Sequence, residues 1–332
     1  MIEEGNRGGQ LRQWLNARLG SGPLELAPAS ADASFRRYFR VTRTGERSLI
    51  VMDAPPDHED CAPFVRIARL LSAAGVHVPE ILAEDVAQGF LLLSDLGDTT
   101  YLSRLPVDAD ALYGDALRAL VQIQLASRPQ VLPEYDRALL ERELRLFPNW
   151  YIARQLEREL APKQRETLES AFEAILQENL AQPRVYVHRD YHSRNLMVSG
   201  PNPGVLDFQD AVFGPITYDL VSLLRDAYIE WPEERVIDWC IRYWEMARRA
   251  SLPVHGDFAS FYRAFEWMGV QRQLKVVGIF ARLARRDGKE GYLADQPRVM
   301  RYLKRACRRY VALGALSRLL DELDPTDPEA RS

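Results

Sequence analysis

The hydrophobic pattern of this 332-residue chain changes its period at about residue 94, and that change narrows the folds open to it. Before it, apolar residues come in short runs. Arg37-Tyr38-Phe39-Arg40-Val41 is rich in aromatic and β-branched residues, and Ser48-Leu49-Ile50-Val51-Met52 follows a Thr44-Gly45-Glu46 turn. Two such runs around a glycine turn predict a β-hairpin. Pro55-Pro56 ends the second strand, because proline cannot donate to a ladder. Ile81-Leu82-Ala83 and Phe90-Leu91-Leu92-Leu93 predict two more strands around Gln88-Gly89. Leu11, Trp14, Leu15 and Leu19 predict an opening helix that stops at Gly20 and Gly22; Phe64, Ile67, Leu70 and Leu71 predict a second, ending near Gly75. After Ser94-Asp95-Leu96-Gly97-Asp98, helical periods dominate, at about 108–127, 136–147, 149–160, 164–181, 217–230, 233–249, 257–285 and 296–320. An island of short apolar triplets interrupts them at 185–210. The expectation is an α+β chain: an antiparallel-sheet lobe with an N-terminal helix over 1–94, a hinge at 95–98 and a large helical lobe over 99–320. Residues 321–332 are acidic, contain two prolines and read as a disordered tail.

Composition excludes several function classes. Lys+Arg is 43 against 47 for Asp+Glu, a formal charge of −4, which argues against nucleic-acid binding by bulk charge. No apolar run approaches the roughly 18 residues of a membrane span. The N-terminus lacks the basic start and apolar stretch of a signal peptide. Cys61, Cys240 and Cys307 are far apart and in no Cys-x-x-Cys pair, so a disulfide framework or zinc site is not expected and a reducing cytoplasm fits. A monomer is expected. The four lysines are Lys163, Lys275, Lys289 and Lys304, so no lysine can serve a site built from the first 162 residues.

The chemistry concentrates in Tyr186-Val187-His188-Arg189-Asp190-Tyr191-His192-Ser193-Arg194-Asn195-Leu196-Met197-Val198 and in Gly204-Val205-Leu206-Asp207-Phe208-Gln209-Asp210. Leu196-Met197-Val198 and Val205-Leu206 read as antiparallel strands around a Pro/Gly turn. That hairpin is expected to set Asp207 across from Asn195, with the preceding loop presenting Asp190. Two carboxylates and an amide oxygen so arranged suit Mg²⁺, which binds one or two carboxylates alongside phosphates and waters. The order matches the His-Arg-Asp-x-x-x-x-Asn…Asp-Phe pattern of phosphoryl transfer. Asp190 would accept the substrate hydroxyl proton; Asn195 and Asp207 would hold Mg²⁺ on the phosphates of ATP. His188 follows a buried triplet and reads as a scaffold residue bracing the loop. His192 positions substrate or braces the loop, and the sequence leaves both open.

His188-x-Asp190-x-His192-x-x-Asn195, Leu206-Asp207-Phe208 and Gly214-Pro215-x-x-Tyr218-Asp219-Leu220 resemble the aminoglycoside phosphotransferase and choline kinase-like superfamily. The resemblance spans about 30–320 and implies a bilobal protein-kinase-like fold. Protein kinases share the catalytic loop but carry glycine two residues after the second Asp and a later Ala-Pro-Glu. Here Gln209 stands in that place and the chain runs directly to Gly214-Pro215, which favours a small-molecule acceptor. In kinase-like folds an acid at the position of Asp219 accepts backbone amides from the catalytic loop. Ala33-Ser34-Phe35-Arg36-Arg37-Tyr38-Phe39-Arg40-Val41 and Val51-Met52-Asp53-Ala54-Pro55-Pro56 look like one branch, the anomeric sugar kinases of bacterial cell-wall recycling. That likeness implies phosphorylation of N-acetylmuramate or N-acetylglucosamine at the C1 hydroxyl, with ATP and Mg²⁺. A kinase of another small hydroxyl substrate (aminoglycoside, choline or homoserine type) and a non-catalytic nucleotide-binding module are the alternatives.

Two departures from the kinase pattern shape the remaining expectations. Met52 stands where a strand lysine is usual, and the loop Ala29-Ser30-Ala31-Asp32-Ala33-Ser34 has small residues but no glycine. Ser34 with Arg36, Arg37 or Arg40 would then meet the nucleotide phosphates, since arginine offers phosphate a planar, permanently charged fork. Backbone groups around Ser94, Asp95 and Leu96 would meet the adenine edge, with Leu91, Leu93 and Leu206 around the ring. Tyr191, His192, Arg194, Gln209, Asp210, Arg225, Tyr228, Trp231 and Trp150 are candidate sugar-pocket residues, where aromatics stack on sugar faces and an arginine pairs with a muramic lactyl carboxylate. The helix bearing Arg263, Arg272, Lys275, Arg282, Arg285 and Arg286 reads as a solvated basic face.

Overall fold

The computed structural model describes residues 6–30 and 35–324, so Ser34 and 325–332 lie outside the described residues. Contacts divide the chain into two compact units. One is Met1–Thr100 with Leu196–Asp210; the other is Tyr101–Asn195 with Ala211–Ser332.

The first unit is a five-stranded antiparallel sheet with two helices. Strands β1 (Glu25–Ser30), β2 (Arg37–Thr42), β3 (Leu49–Asp53), β4 (Ile81–Asp85) and β5 (Phe90–Ser94) lie in the order β1-β2-β3-β5-β4. Period-2 alternation decides what each face buries. Phe39, Val41, Val51, Phe90 and Leu92 form a core with Leu11, Trp14 and Leu15 of helix α1 (Asn6–Leu19). Met52 and Leu91, paired across β3 and β5 and fully buried, point to the other face. Helix α2 (Ala62–Ala73) buries Phe64, Val65, Ile67, Ala68 and Leu71. Gly89 turns the β4–β5 hairpin at φ 73°, and a Cβ there would stand 1.8 Å from the Ala54 carbonyl oxygen, so only glycine fits.

The segment 196–210 was expected inside the helical lobe, and the structure assigns it to the sheet unit. Its strands β7 (Leu196–Met197) and β8 (Gly204–Val205) pair antiparallel, Leu196 with Val205. The Val198 amide donates to the Thr99 carbonyl at 2.8 Å, and the Val205 amide to that of His77 at 2.8 Å. Phe208 packs on Phe64, ring centres 4.8 Å apart. A two-stranded ribbon is marginal alone, so these partners decide where it belongs.

The second unit is mostly helical: α3 (Tyr101–Leu125), α4 (Arg137–Leu144), α5 (Pro162–Leu180), α6 (Tyr218–Leu224), α7 (Glu233–Arg249), α8 (Phe258–Asp287), α9 (Gln296–Arg309) and α10 (Gly314–Leu323). Strand β6 (Arg184–Val187) pairs antiparallel with β9 (Val212–Pro215). Helix α3 starts earlier than its period suggested, because Pro106 and a non-helical Asp108 kink it and split the pattern. The segment expected as one helix over 296–320 breaks at Tyr310, which adopts extended backbone. Asp321 to Leu323, assigned to the tail on acidity, complete α10, where Leu319, Leu320 and Leu323 are buried. The 30-residue α8 runs through the middle of the unit. It passes so close to a π-helical turn (Phe147–Gln155) that a Cβ on Gly278 would lie 2.4 Å from the Leu146 carbonyl carbon.

Candidate active site

Strand β6 ends at Val187 and delivers the loop 188–195. Arg189 turns it in the left-handed region at φ 79°, and Asp207 adopts the same region at φ 63°. Such backbone is uncommon for non-glycine residues and persists only where surroundings impose it. For Arg189 the surroundings are explicit. Asp219, in the first turn of α6, accepts the His188 amide at 2.6 Å and the Arg189 amide at 2.9 Å. His188 Nδ1 accepts the Asp190 amide at 3.3 Å, and the His188 ring lies edge-on to Tyr191. The Asp190 carbonyl accepts the His192 amide and Asn195 Nδ2, each at 3.0 Å. Asp226 accepts the amides of Ser193 and Tyr228, each at 2.9 Å. The loop backbone thus donates to two buried acids, Asp219 and Asp226, and to His188 Nδ1.

The electrostatics follow from burial and neighbours. Burial raises Asp219 to about 7, against the partial relief of its two backbone donors, with Asp190 raising it further. Burial also pushes Asp190 up, but Lys275, with His192, His188 and Arg272, more than offsets it and holds this carboxyl below its ordinary value. Burial lowers His192, only partly countered by Asp226 and Asp190.

Lys275 is the functional residue that sequence reasoning missed. The helix read as a solvated basic face is α8, with Arg272 and Lys275 only 5% and 7% exposed. Lys275 Nζ lies 2.9 Å from Glu143 and 2.8 Å from the Tyr218 hydroxyl. Glu143 also pairs with Arg189 at 2.7 Å and accepts the Tyr135 hydroxyl proton. The sequence signal was mixed: Met268, Val270, Leu274, Val276, Val277, Phe280 and Ala281 cover much of the helix, but Gln271, Lys275 and Arg282 share one side of it, which reads as a polar face.

The predicted pocket residues separate into two groups. Tyr191 is fully buried and donates its hydroxyl to the Ala116 carbonyl at 2.8 Å, so it is core rather than pocket lining. Arg225 is buried against Glu233 at 2.7 Å and is likewise not available to a sugar. Trp231 donates its indole N–H to the Tyr113 hydroxyl at 2.8 Å and stays half-buried. Arg194 is exposed and stacks on half-buried Tyr228, whose other neighbour is His192. In the first unit, Gln209 donates to Asp207 at 2.7 Å, Leu206 is half-buried and Asp210 is exposed.

The nucleotide candidates all lie in the first unit, and their arginines have carboxylate partners. Arg40 pairs with Asp95 at 2.6 Å and donates to the Gly97 carbonyl at 3.0 Å. Burial raises Asp95, but Arg40 and Ser48 outweigh it and keep it below its ordinary value. Arg37 pairs with Asp53, its register partner across β2 and β3, which Arg7 also meets at 2.7 Å. Arg36 is 3.8 Å from Glu59. The Ser94 amide donates to the Glu80 carbonyl at 2.9 Å, and Leu96 is half-buried beside Gly204. Met52, where a lysine is usual, is sealed in the core, and the unit has no lysine side chain at all.

Asn195 Nδ2 is spent on the Asp190 carbonyl, so its side-chain oxygen is the end of the amide turned away from that bond, and an amide oxygen is a hard-cation donor of the kind Mg²⁺ takes.

The family described as "Phosphotransferase enzyme family" matches residues 25–252. The N-acetylmuramate/N-acetylglucosamine kinase of Pseudomonas aeruginosa is 53% identical over 332 residues, 97% of this chain and 98% of that protein. The protein of that name from Neisseria meningitidis is 51% identical over 319 residues, 95% of each chain. Among solved structures, a choline/ethanolamine kinase family protein from Mesorhizobium loti superposes with a TM-score of 0.62 at 16% identity, covering 95% of this chain and 99% of that one. The fold is therefore the protein-kinase-like one.

Proposed function

This chain belongs to the phosphotransferase enzyme family, and from that premise we propose that it transfers the γ-phosphoryl group of ATP to the anomeric hydroxyl of N-acetylmuramate and N-acetylglucosamine. The names of its full-length relatives support the two sugars. The observation that carries the chemistry is Asp190: an acid held ionised by Lys275 on a loop whose backbone Asp219 fixes.

In this reading the Asp190 carboxylate accepts a hydrogen bond from the C1 hydroxyl and aims its oxygen at the γ-phosphorus. As the new P–O bond forms, the bond from that phosphorus to the β–γ bridging oxygen breaks and ADP leaves. The hydroxyl proton passes to Asp190 and then to solvent. A carboxyl below its ordinary pKa is a weak base, which suits a loose transition state in which the attacking oxygen keeps its proton until late. The anomeric hydroxyl is also more acidic than other sugar hydroxyls. Asp190 therefore orients the hydroxyl first and takes its proton late in the transfer.

Asn195 and Asp207 are the residues we assign to Mg²⁺, which would neutralise phosphate charge when bound with the nucleotide. The backbone from Ser94 to Leu96 and the Leu206 side chain are assigned to adenine, and Arg36, Arg37 and Arg40 to the phosphates. Arg40 must then release or share Asp95. His192, Arg194, Gln209, Asp210, Tyr228 and Trp231 remain assigned to the sugar. We read the enzyme as a cytoplasmic monomer of peptidoglycan recycling, acting without nucleic acid or membrane; its three buried, unpaired cysteines fit a reducing compartment.

Turnover of a panel of acceptors with ATP and Mg²⁺ tests the proposal. The two amino sugars should release ADP, and their methyl glycosides, blocked at C1, should not. Reaction of the blocked sugars refutes the anomeric site. Reaction of choline, homoserine or an aminoglycoside in place of the sugars refutes the substrate class.

A further inference from the structure

We propose that Arg194 reads the carboxylate that distinguishes N-acetylmuramate from N-acetylglucosamine and so sets the preference between them; this rests on the amino-sugar reading above. Arg194 precedes Asn195 on the braced loop and is exposed. Its guanidinium carbon lies 3.5 Å from the centre of the Tyr228 ring and 5.9 Å from that of Tyr292. Both rings pack on Phe280, at 6.3 and 5.3 Å, and the Tyr228 backbone is tied to buried Asp226. The arginine therefore rests on a rigid aromatic wall.

A guanidinium held by its face keeps its N–H donors in the ring-parallel plane, at its edge. That edge meets no acid among the described residues, whereas Arg189 is spent on Glu143, Arg225 on Glu233 and Arg298 on Asp295, each at 2.7 Å. Among the described residues no carboxylate lies within ion-pair distance of Arg194. Holding a flexible cation still on rings alone, with no acid to pair, costs side-chain entropy and gives the fold little, whereas a ligand finds the orientation already made. The two sugars differ by one group, the lactyl ether with its carboxylate. A planar carboxylate matches the edge of a guanidinium in two parallel hydrogen bonds. His192, 5.4 Å from the Tyr228 ring on the loop between Asp190 and Arg194, joins this wall to the acceptor site.

The test compares kcat/KM for both sugars in the wild type, R194Q and R194K. In R194Q the ratio of N-acetylmuramate to N-acetylglucosamine should fall about 10- to 100-fold, the scale of hydrogen bonds to a charged group, chiefly through KM. R194K keeps the charge but not the fork, and should recover only part of the ratio. The wild-type KM for N-acetylmuramate should rise with ionic strength, and R194Q should lose that dependence. A ratio within about twofold of wild type in R194Q, which a merely loop-bracing arginine would give by slowing both sugars alike, overturns the proposal. Turnover of neither sugar by the wild type overturns the parent reading instead, before any variant is made.

Discussion

Replacing Lys275 by methionine removes a charge while keeping most of the side chain's length and apolar body. The residue is 7% exposed, with its ammonium 2.9 Å from Glu143 and 2.8 Å from the Tyr218 hydroxyl. Breaking a buried ion pair by removing one partner costs about 3–5 kcal/mol, mostly because the other charge stays buried. Glu143 here keeps Arg189 at 2.7 Å and the Tyr135 hydroxyl, so K275M should sit at the low end, about 3 kcal/mol. A second effect falls on Asp190. Burial raises that carboxyl and Lys275 is the foremost group lowering it, so the variant's Asp190 must move up. In the proposed mechanism the carboxylate form is the one that accepts the sugar hydroxyl. The acid limb of the kcat/KM profile should therefore shift to higher pH in K275M, with little change on the alkaline side. Urea melts of K275M, E143Q and the double variant complete the measurement, and the cycle should show coupling of about 1 kcal/mol or more. Additive losses, or a K275M acid limb that coincides with wild type, would refute a Lys275–Glu143 unit acting on the loop.

D190N should lower kcat by about 10²–10⁴, the range for a general base, while calorimetric titration still shows ATP binding; near-normal turnover removes Asp190 from the chemistry. Asp219 titrates at about 7 when folded, against an ordinary 3.8, so the folded chain holds a proton that the unfolded chain releases. Its contribution to stability is complete below the ordinary carboxyl range and is lost as pH rises through about 7. D219N should flatten the stability profile over that window, and a variant that keeps the wild-type slope contradicts the assignment. G278A would place a methyl 2.4 Å from the Leu146 carbonyl carbon and should cost about 1–3 kcal/mol in a thermal or urea melt; a neutral result would mean that α8 can shift.

The lobes, the strands from Arg37 to Ser94 and the loop from His188 to Asn195 were legible because each rests on short-range pattern: alternation, turn glycines and fixed motif spacing. For Asp219 the pattern gave only an acid at a helix start after Gly214-Pro215; its link to the loop came from the resemblance to kinase-like folds. What escaped depended on what a residue packs against. Lys275, Tyr191 and Arg225 are polar or amphipathic side chains whose burial is decided by segments far away in sequence, such as α4 for Lys275 and α3 for Tyr191. The placement of 196–210 turned on hydrogen bonds to His77 and Thr99, about a hundred residues upstream. Arg40's bond to Asp95 joined two sites that the sequence had treated as separate, one for phosphate and one for adenine.

Among its lysine and arginine positions the first unit has arginine alone. Guanidinium groups stay protonated at any pH a folded protein survives. Whatever grip that half exerts on a triphosphate cannot be switched off by deprotonating an amine, nor erased by acetylating one. Amine-seeking reagents will find no side chain there to react with.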